Sequence, residues 1–206
     1  MRRRTINRSA GKHAVGKAPD RGFSLVELMV TIAVLAIVLA IAIPSFTGLI
    51  NGNKLGSQAN DLMATIQLAR MDAVRFNRRS ILCRSSDGAT CNGANGAWTS
   101  WISYIDTNGD GVPSASEIQR TGSANTTVTV LPSPAISGNG NRIVFHADGL
   151  ARSGTGTLLQ GAFSVCMPTT QPADNVRVVS LSFGSRTGVA SQNGAGACNA
   201  PANPAS

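Results

Sequence analysis

Read from the N-terminus, the chain starts polar, turns apolar, becomes amphipathic with helical spacing, and ends in short alternating runs. The apolar run covers residues 23–43, and its only charged residue is Glu27. As a helix, 21 such residues measure about 32 Å, close to the roughly 30 Å of a bilayer's hydrocarbon. Pro44 follows at once; it has no amide to give the carbonyl of Ala40, so a kink is expected there. Gly48, Gly52 and Gly56 then recur every fourth residue, each costing about 1 kcal/mol of helix propensity relative to alanine. That spacing fits close approach of another helix, a segment able to melt, or simply a poor helix. From Leu55 the pattern sharpens: Leu55, Ala59, Leu62, Ile66, Ala69 and Ala73 form one apolar stripe, which predicts burial against a sheet. Residues 23–77 thus read as one long, bent helix of roughly 80 Å.

Beyond residue 78 the period changes. Short runs at 81–84, 99–105, 126–131, 142–146, 162–166 and 176–183 are rich in β-branched or aromatic residues and separated by Gly, Ser, Asn and Pro clusters. With no helix-length pattern between them, an antiparallel, hairpin-based arrangement is expected rather than a parallel sheet. Residues 78–206 are enough for a core of their own. The tail from Ser191 is rich in Gly, Ala, Asn and Pro and should be loose except where Cys198 ties it down.

Charge redraws this picture in one respect. Residues 1–22 carry seven of the 18 Lys and Arg and one acidic residue, a net +6 of the formal +8. The rest of the chain is nearly neutral, so the basic character belongs to a leader and is poor evidence for nucleic-acid binding. The cationic leader precedes the apolar run, and no positive charge follows until Lys54. That asymmetry puts the N-terminus in the cytoplasm and the remainder outside. The four cysteines, Cys83, Cys91, Cys166 and Cys198, all lie in that exported part. With no Cys-x-x-Cys pair and only His13 and His146 as histidines, a zinc site is poorly supported, and disulfides in an oxidising compartment are expected. Four cysteines allow three pairings; local proximity favours Cys83–Cys91 and Cys166–Cys198, against the alternative of four buried thiols.

Three origins of the apolar run compete. A secretory signal has a shorter apolar region, no carboxylate, and no proline just past the cut. A plain anchor fits the length but leaves Glu27 unexplained, since a carboxylate in a membrane helix costs about 2.5–3.5 kcal/mol and calls for a partner. The third supplies one. Gly22-Phe23-Ser24-Leu25-Val26-Glu27 resembles the processing motif of type IV prepilins and secretion pseudopilins. The resemblance implies that a prepilin peptidase cuts after Gly22 and methylates the new amine of Phe23. Glu27 would lie about one turn below that cation, able to pair with the amine of a neighbouring subunit. The helix-kinking Pro44 also stands where this family commonly has one.

The later segments narrow the resemblance. Leu82-Cys83-Arg84-Ser85, Cys91, Trp98 and the run from Trp101 to Asp106 resemble the head of the GspH/FimT family, which contains minor pilins of type IV pili and a minor pseudopilin of type II secretion. Ile143-Val144-Phe145 with Gly149, and Phe163 to Cys166, fit more loosely, and Ser100 departs from the glycine that relatives often have. The resemblance implies an α+β, pilin-like fold. Its parts are a removed leader (1–22), a transmembrane half-helix (23–43), an amphipathic half-helix (44–77) packed on an antiparallel β-sheet, and a periplasmic head (78–206).

Candidate chemistry in the head is sparse. Asp106, Asn108 and Asp110 at alternate positions, Gly111 at the turn and Glu117 at the closing position satisfy the EF-hand loop expression, so calcium is one reading. The flanks argue otherwise: a strand precedes the loop, Pro113 interrupts it, and an Asx-rich hairpin turn explains the same residues. Some relatives in competence systems bind DNA through a Gly-Arg-x-Arg element. Here the matching stretch is Gly184-Ser185-Arg186-Thr187, with Arg177 nearby, too few cations for several phosphate contacts. His146 is the only histidine outside the leader, and no nucleophile elbow appears, so no enzymatic activity and no cofactor is expected. The expected partners are the prepilin peptidase, other pilins or pseudopilins through the helix, and an inner-membrane assembly platform. The expected role is a minor filament subunit, with DNA uptake as the alternative.

Overall fold

The structure, a computed structural model, describes residues 22–205. The leader up to residue 21 and the side chains of residues 41–45 lie outside the described residues, and with them the kink expected at Pro44. The elements are α1 (Leu25–Phe76), β1 (Arg79–Ser85), β2 (Ser100–Asp106), β3 (Ile118–Ser123), β4 (Thr129–Pro132), α2 (Pro134–Gly138), β5 (Arg142–Phe145), β6 (Ala151–Arg152), β7 (Gly161–Cys166), β8 (Val176–Ser182), a 3-10 turn (Phe183–Ser185) and β9 (Arg186–Gln192). They divide into two compact units, Met1–Ile41 and Ala42–Ser206.

In the first unit, Leu28, Met29, Val30, Val34 and Val38 are all exposed and spread around the helix axis, so apolar side chains stand on every side of it. Among the described residues no helix is long and apolar enough to cross a membrane. The span expected over 23–43 has described side chains only as far as Ala40.

In the second unit the apolar stripe on α1 meets its core: Leu55, Ala59, Leu62, Ile66, Ala69 and Ala73 are each at most 1% exposed. They pack against two antiparallel sheets, one ordered β3-β2-β1-β5-β6 and the other β4-β7-β8-β9. Directly opposed residues in an antiparallel ladder share a face, so register tells which side chains point inward. The five-stranded sheet sends in Leu82, Trp101, Ile143 and Phe145; the four-stranded sheet sends in Val130, Phe163, Val165, Val179 and Leu181. Trp98 joins them, its ring edge-to-face with Phe163 at 4.7 Å and its Nε1 donating to Asn141 Oδ1 at 3.1 Å. The opposite face of the five-stranded sheet carries a smaller cluster of Ile81, Cys83, Ile102 and Tyr104.

The expected strands fall on β1, β2, β4, β5, β7 and β8, whereas β3, β6, β9 and the short α2 carry no alternation that marks them. On β3 the inward positions hold Arg120 and Gly122 rather than apolar residues. Arg120 pairs with the buried carboxylate of Asp72 on α1, and Gly122 lies under the indole of Trp101. A Cβ at Gly122 would stand 2.3 Å from Trp101 Nε1, so the strand or the ring would have to move. Gly122→Ala should therefore cost about 1–3 kcal/mol, the usual range for an overpacked core, read as a lowered urea midpoint.

Two further segments are tied across the unit. Gly48 and Gly52 seat the loop between β7 and β8: Cβ atoms there would lie 4.0 Å from Gln171 Cβ and 3.9 Å from Pro172 Cγ. Asn51 Nδ2 donates to Gln171 O at 2.9 Å beside them, while Gly56 faces open space. The tail after β9 is held at more points than Cys198. Gly194 N donates to Asn175 Oδ1, Asn175 Nδ2 to Ala197 O, Ser164 Oγ to Asn199 O, and Ala135 N to Asn203 Oδ1. Ser164 lies on the outward face of β7, so the tail covers that face.

Candidate functional site

Helix α1 begins with a capped turn. Gly22 and Phe23 precede the helix outside regular secondary structure, and nothing lies within 4 Å of a Cβ built on Gly22. Ser24 accepts the amide of Glu27 on its Oγ at 3.1 Å and that of Leu28 on its carbonyl at 3.1 Å, which stops the helix from extending back toward Gly22. Ser24 and Glu27 also have the Ser-x-x-Glu spacing of a capping box, a signal legible in the sequence that marks the helix start, but only the Ser24 half of the reciprocal pair is made among the described residues. The carboxylate of Glu27 itself makes no hydrogen bond or ion pair among the described residues. The Gly22–Phe23 bond is thus displayed on unstructured chain, and an unpaired carboxylate waits one turn into an apolar helix.

The calcium expectation fares differently. Asp106 Oδ2 is taken by Arg79 at 2.5 Å and its Oδ1 by Gly109 N at 2.7 Å. Asn108 and Asp110 bond each other and the loop amides of Asp110 and Val112. Glu117 spends one oxygen on the amide and hydroxyl of Thr107 and the other on those of Ser114. Among the described residues no three His, Cys, Asp or Glu side chains converge as a metal site. The loop is an Asx-rich turn closed by its own donors, with Tyr104 adding a bond from its hydroxyl to Gly111 O at 2.7 Å. Burial pushes that phenol up to about 12, and Asp106 adds to the shift.

Those donors hold Glu117 at about 2, below its ordinary 4.5, Thr107 being the largest cause. A carboxyl depressed in the folded state contributes stability above its unfolded value and loses it as the pH falls toward the folded one. The urea midpoint should therefore drop between pH 4.5 and pH 2, and Glu117→Gln should flatten that part of the profile. A profile as steep in the variant as in the parent would contradict the assignment. Asp148, held at about 2 chiefly by Arg152, and Asp87, lowered chiefly by Thr90, lose their contributions as the pH falls below 3.8 and supply the residual slope.

The two arginines of the DNA reading are not brought together. Arg177 opposes Ser191 near one end of the β8–β9 ladder and Arg186 opposes Ser182 at the other. Ser191 and Arg186 lie five residues apart on β9, so the two guanidinium groups leave opposite faces. Arg177 is turned to the carbonyls of Asp174 and Val176. His146 is half-buried, its imidazole shifted down by burial and by Arg152. The cysteines pair as Cys83–Cys91 and Cys166–Cys198, with Cα separations of 5.6 and 5.7 Å. Within the first loop Asp87 accepts from Thr90 and Ala89, which hold its carboxyl well below the ordinary range.

A long capped helix with a lone carboxylate near its start, packed along its second half on antiparallel sheets, defines a pilin-like subunit. The chain belongs to the GspH family: the family described as Type II transport protein GspH matches residues 58–193. The prokaryotic N-terminal methylation motif matches residues 17–43. No curated protein matches the chain. Among solved structures it is similar to the type IV minor pilin FimU of Pseudomonas aeruginosa strain PAO1, with 22% identity and a TM-score of 0.49 over 67% of this chain and 89% of that one. It is also similar to the minor pseudopilin EpsH of the Vibrio cholerae type 2 secretion system, with 8% identity and a TM-score of 0.46 over 67% of this chain and 97% of that one.

Proposed function

We propose that the chain is a structural minor subunit of a type IV pilus or type II secretion pseudopilus, acting in its priming or tip complex and catalysing no reaction. Prepilin peptidase cuts after Gly22 and methylates Phe23. The processed subunit is then held in the inner membrane by its helix, with the head in the periplasm. It joins other pilin-like chains through the apolar helix at an inner-membrane assembly platform.

The observation that carries this reading is Glu27, a carboxylate without a partner among the described residues on a helix apolar on all sides. Left alone in lipid it is costly; opposite the amine of a neighbour's processed N-terminus it is neutralised, and the pairing sets axial register. The open space around Gly22, ahead of the helix, supports access by a peptidase. Mass spectrometry of the protein purified from its native membrane should find a first residue Phe23 carrying one extra methyl. A product starting at Met1, or near residue 43, would overturn the proposal.

A further inference from the structure

An open cleft of about 640 Å³ lies between α2, the hairpin at 153–160 and the end of the tail. Its size falls within the roughly 300–1,000 Å³ of pockets that hold small ligands. No ionisable side chain lines it. Its polar wall consists of three amides, Asn139, Gln160 and Asn203, and three hydroxyls, Ser153, Thr155 and Thr157, set over Leu158. The wall is built rather than incidental. Asn139 Oδ1 accepts Gly154 N at 2.9 Å, Asn203 Oδ1 accepts Ala135 N at 3.0 Å, and Ser153 Oγ lies 2.8 Å from both threonine hydroxyls.

The way these groups are used selects the ligand chemistry. The backbone amides of Ser153, Gly154, Gly156 and Ala135 are already spent inside the wall, which leaves no open ladder for an extended peptide. An ion would be desolvated against neutral groups with no countercharge to offset the loss. What stays available is the Nδ2 of Asn203, the Nε2 of Gln160 and the ring of hydroxyls. Gln160 donates to nothing among the described residues, and its Oε1 is buried without a partner. Amides and hydroxyls that donate and accept in one small space, beside an apolar side chain, match a sugar's dense hydroxyls and its C–H face.

We propose that this cleft is a binding site for a neutral oligosaccharide, a role separate from filament assembly. The test titrates the full processed chain, in zwitterionic micelles without sugar headgroups, with maltotetraose and with the N-acetylglucosamine tetramer. Nuclear magnetic resonance should show saturable shifts for at least one of them at Asn139, residues 153–160 and Asn203, and added salt should leave the affinity unchanged. Gln160→Ala and Asn203→Ala should each weaken binding about three- to tenfold, the worth of one neutral hydrogen bond. Filament incorporation should be untouched in both variants. If Gln160→Ala fails to fold, Thr155→Val on the exposed hairpin carries the same expectation. The proposal is overturned if neither neutral tetramer saturates, if the variants bind as the parent does, or if tetragalacturonate binds more tightly and loses that advantage in salt.

Discussion

Glu27→Ala is expected to be cleaved and methylated as the parent is, yet to be missing from filaments. The proposed cleavage site lies ahead of the helix, and the substitution leaves it alone. It also leaves the helix start alone, because Ser24 Oγ accepts the backbone amide of residue 27 rather than its side chain. What is removed is the carboxylate, and with it the pairing to a neighbour's amine. Removing one partner of a desolvated pair costs about 3–5 kcal/mol because the other charge is left buried alone, a factor of about 150 to a few thousand in subunit partitioning. The measurement compares the subunit's share in sheared filaments with its share in the membrane pool, alongside mass spectrometry of the N-terminus. Parent-like incorporation of a correctly processed variant would remove the pairing argument.

How much of this was legible depends on whether the partner of a residue is local. The stripe from Leu55 to Ala73 could be read residue by residue, because helical periodicity reports burial without naming what does the burying. The six strands with inward β-branched or aromatic residues were legible for the same reason. β3 and β9 were not: one turns an ion-pairing arginine and a glycine inward, and the other is a polar edge strand. That the strands divide into two sheets lies in long-range register, which alternation along one strand does not carry. The bonding of the EF-hand-like loop was not legible for the same reason. Every ligand type stands at the right spacing, but Arg79, opposite Asp106 across the β1–β2 ladder and 27 residues away in sequence, takes the first carboxylate. Gly48, Gly52 and Gly56 look alike in sequence, yet only the first two seat the loop at Gln171 and Pro172.

The second large effect belongs to the tail. Cys166 and Cys198 close a loop with a sequence separation of 32, and Cys83 and Cys91 one of 8. Cross-linking restricts the unfolded chain more for the longer loop, by about 3.7 against about 2.6 kcal/mol in the chain-entropy account. Replacing Cys166 and Cys198 together by alanine should therefore destabilise the chain by about 3–4 kcal/mol, and replacing Cys83 and Cys91 by about 2–3 kcal/mol. Alanine is the right probe because both Cys83 and Cys166 are fully buried, where serine would add an unsatisfied hydroxyl. The two bonds should also differ in reach. The shorter one sits on the outer face of β1 beside Ile81, Ile102 and Tyr104, a cluster that packing maintains without it. The longer one fastens a tail that has four side-chain hydrogen bonds and no apolar anchor among the core residues. Hydrogen exchange at Gly194 and Ala197, whose amides are bonded to Asn175 and to Gly194, should accelerate in the first double variant before global unfolding and stay slow in the second. Equal losses of stability in the two variants, or exchange at Gly194 unchanged without the Cys166–Cys198 bond, would show that the tail's own hydrogen bonds suffice to hold it on β7.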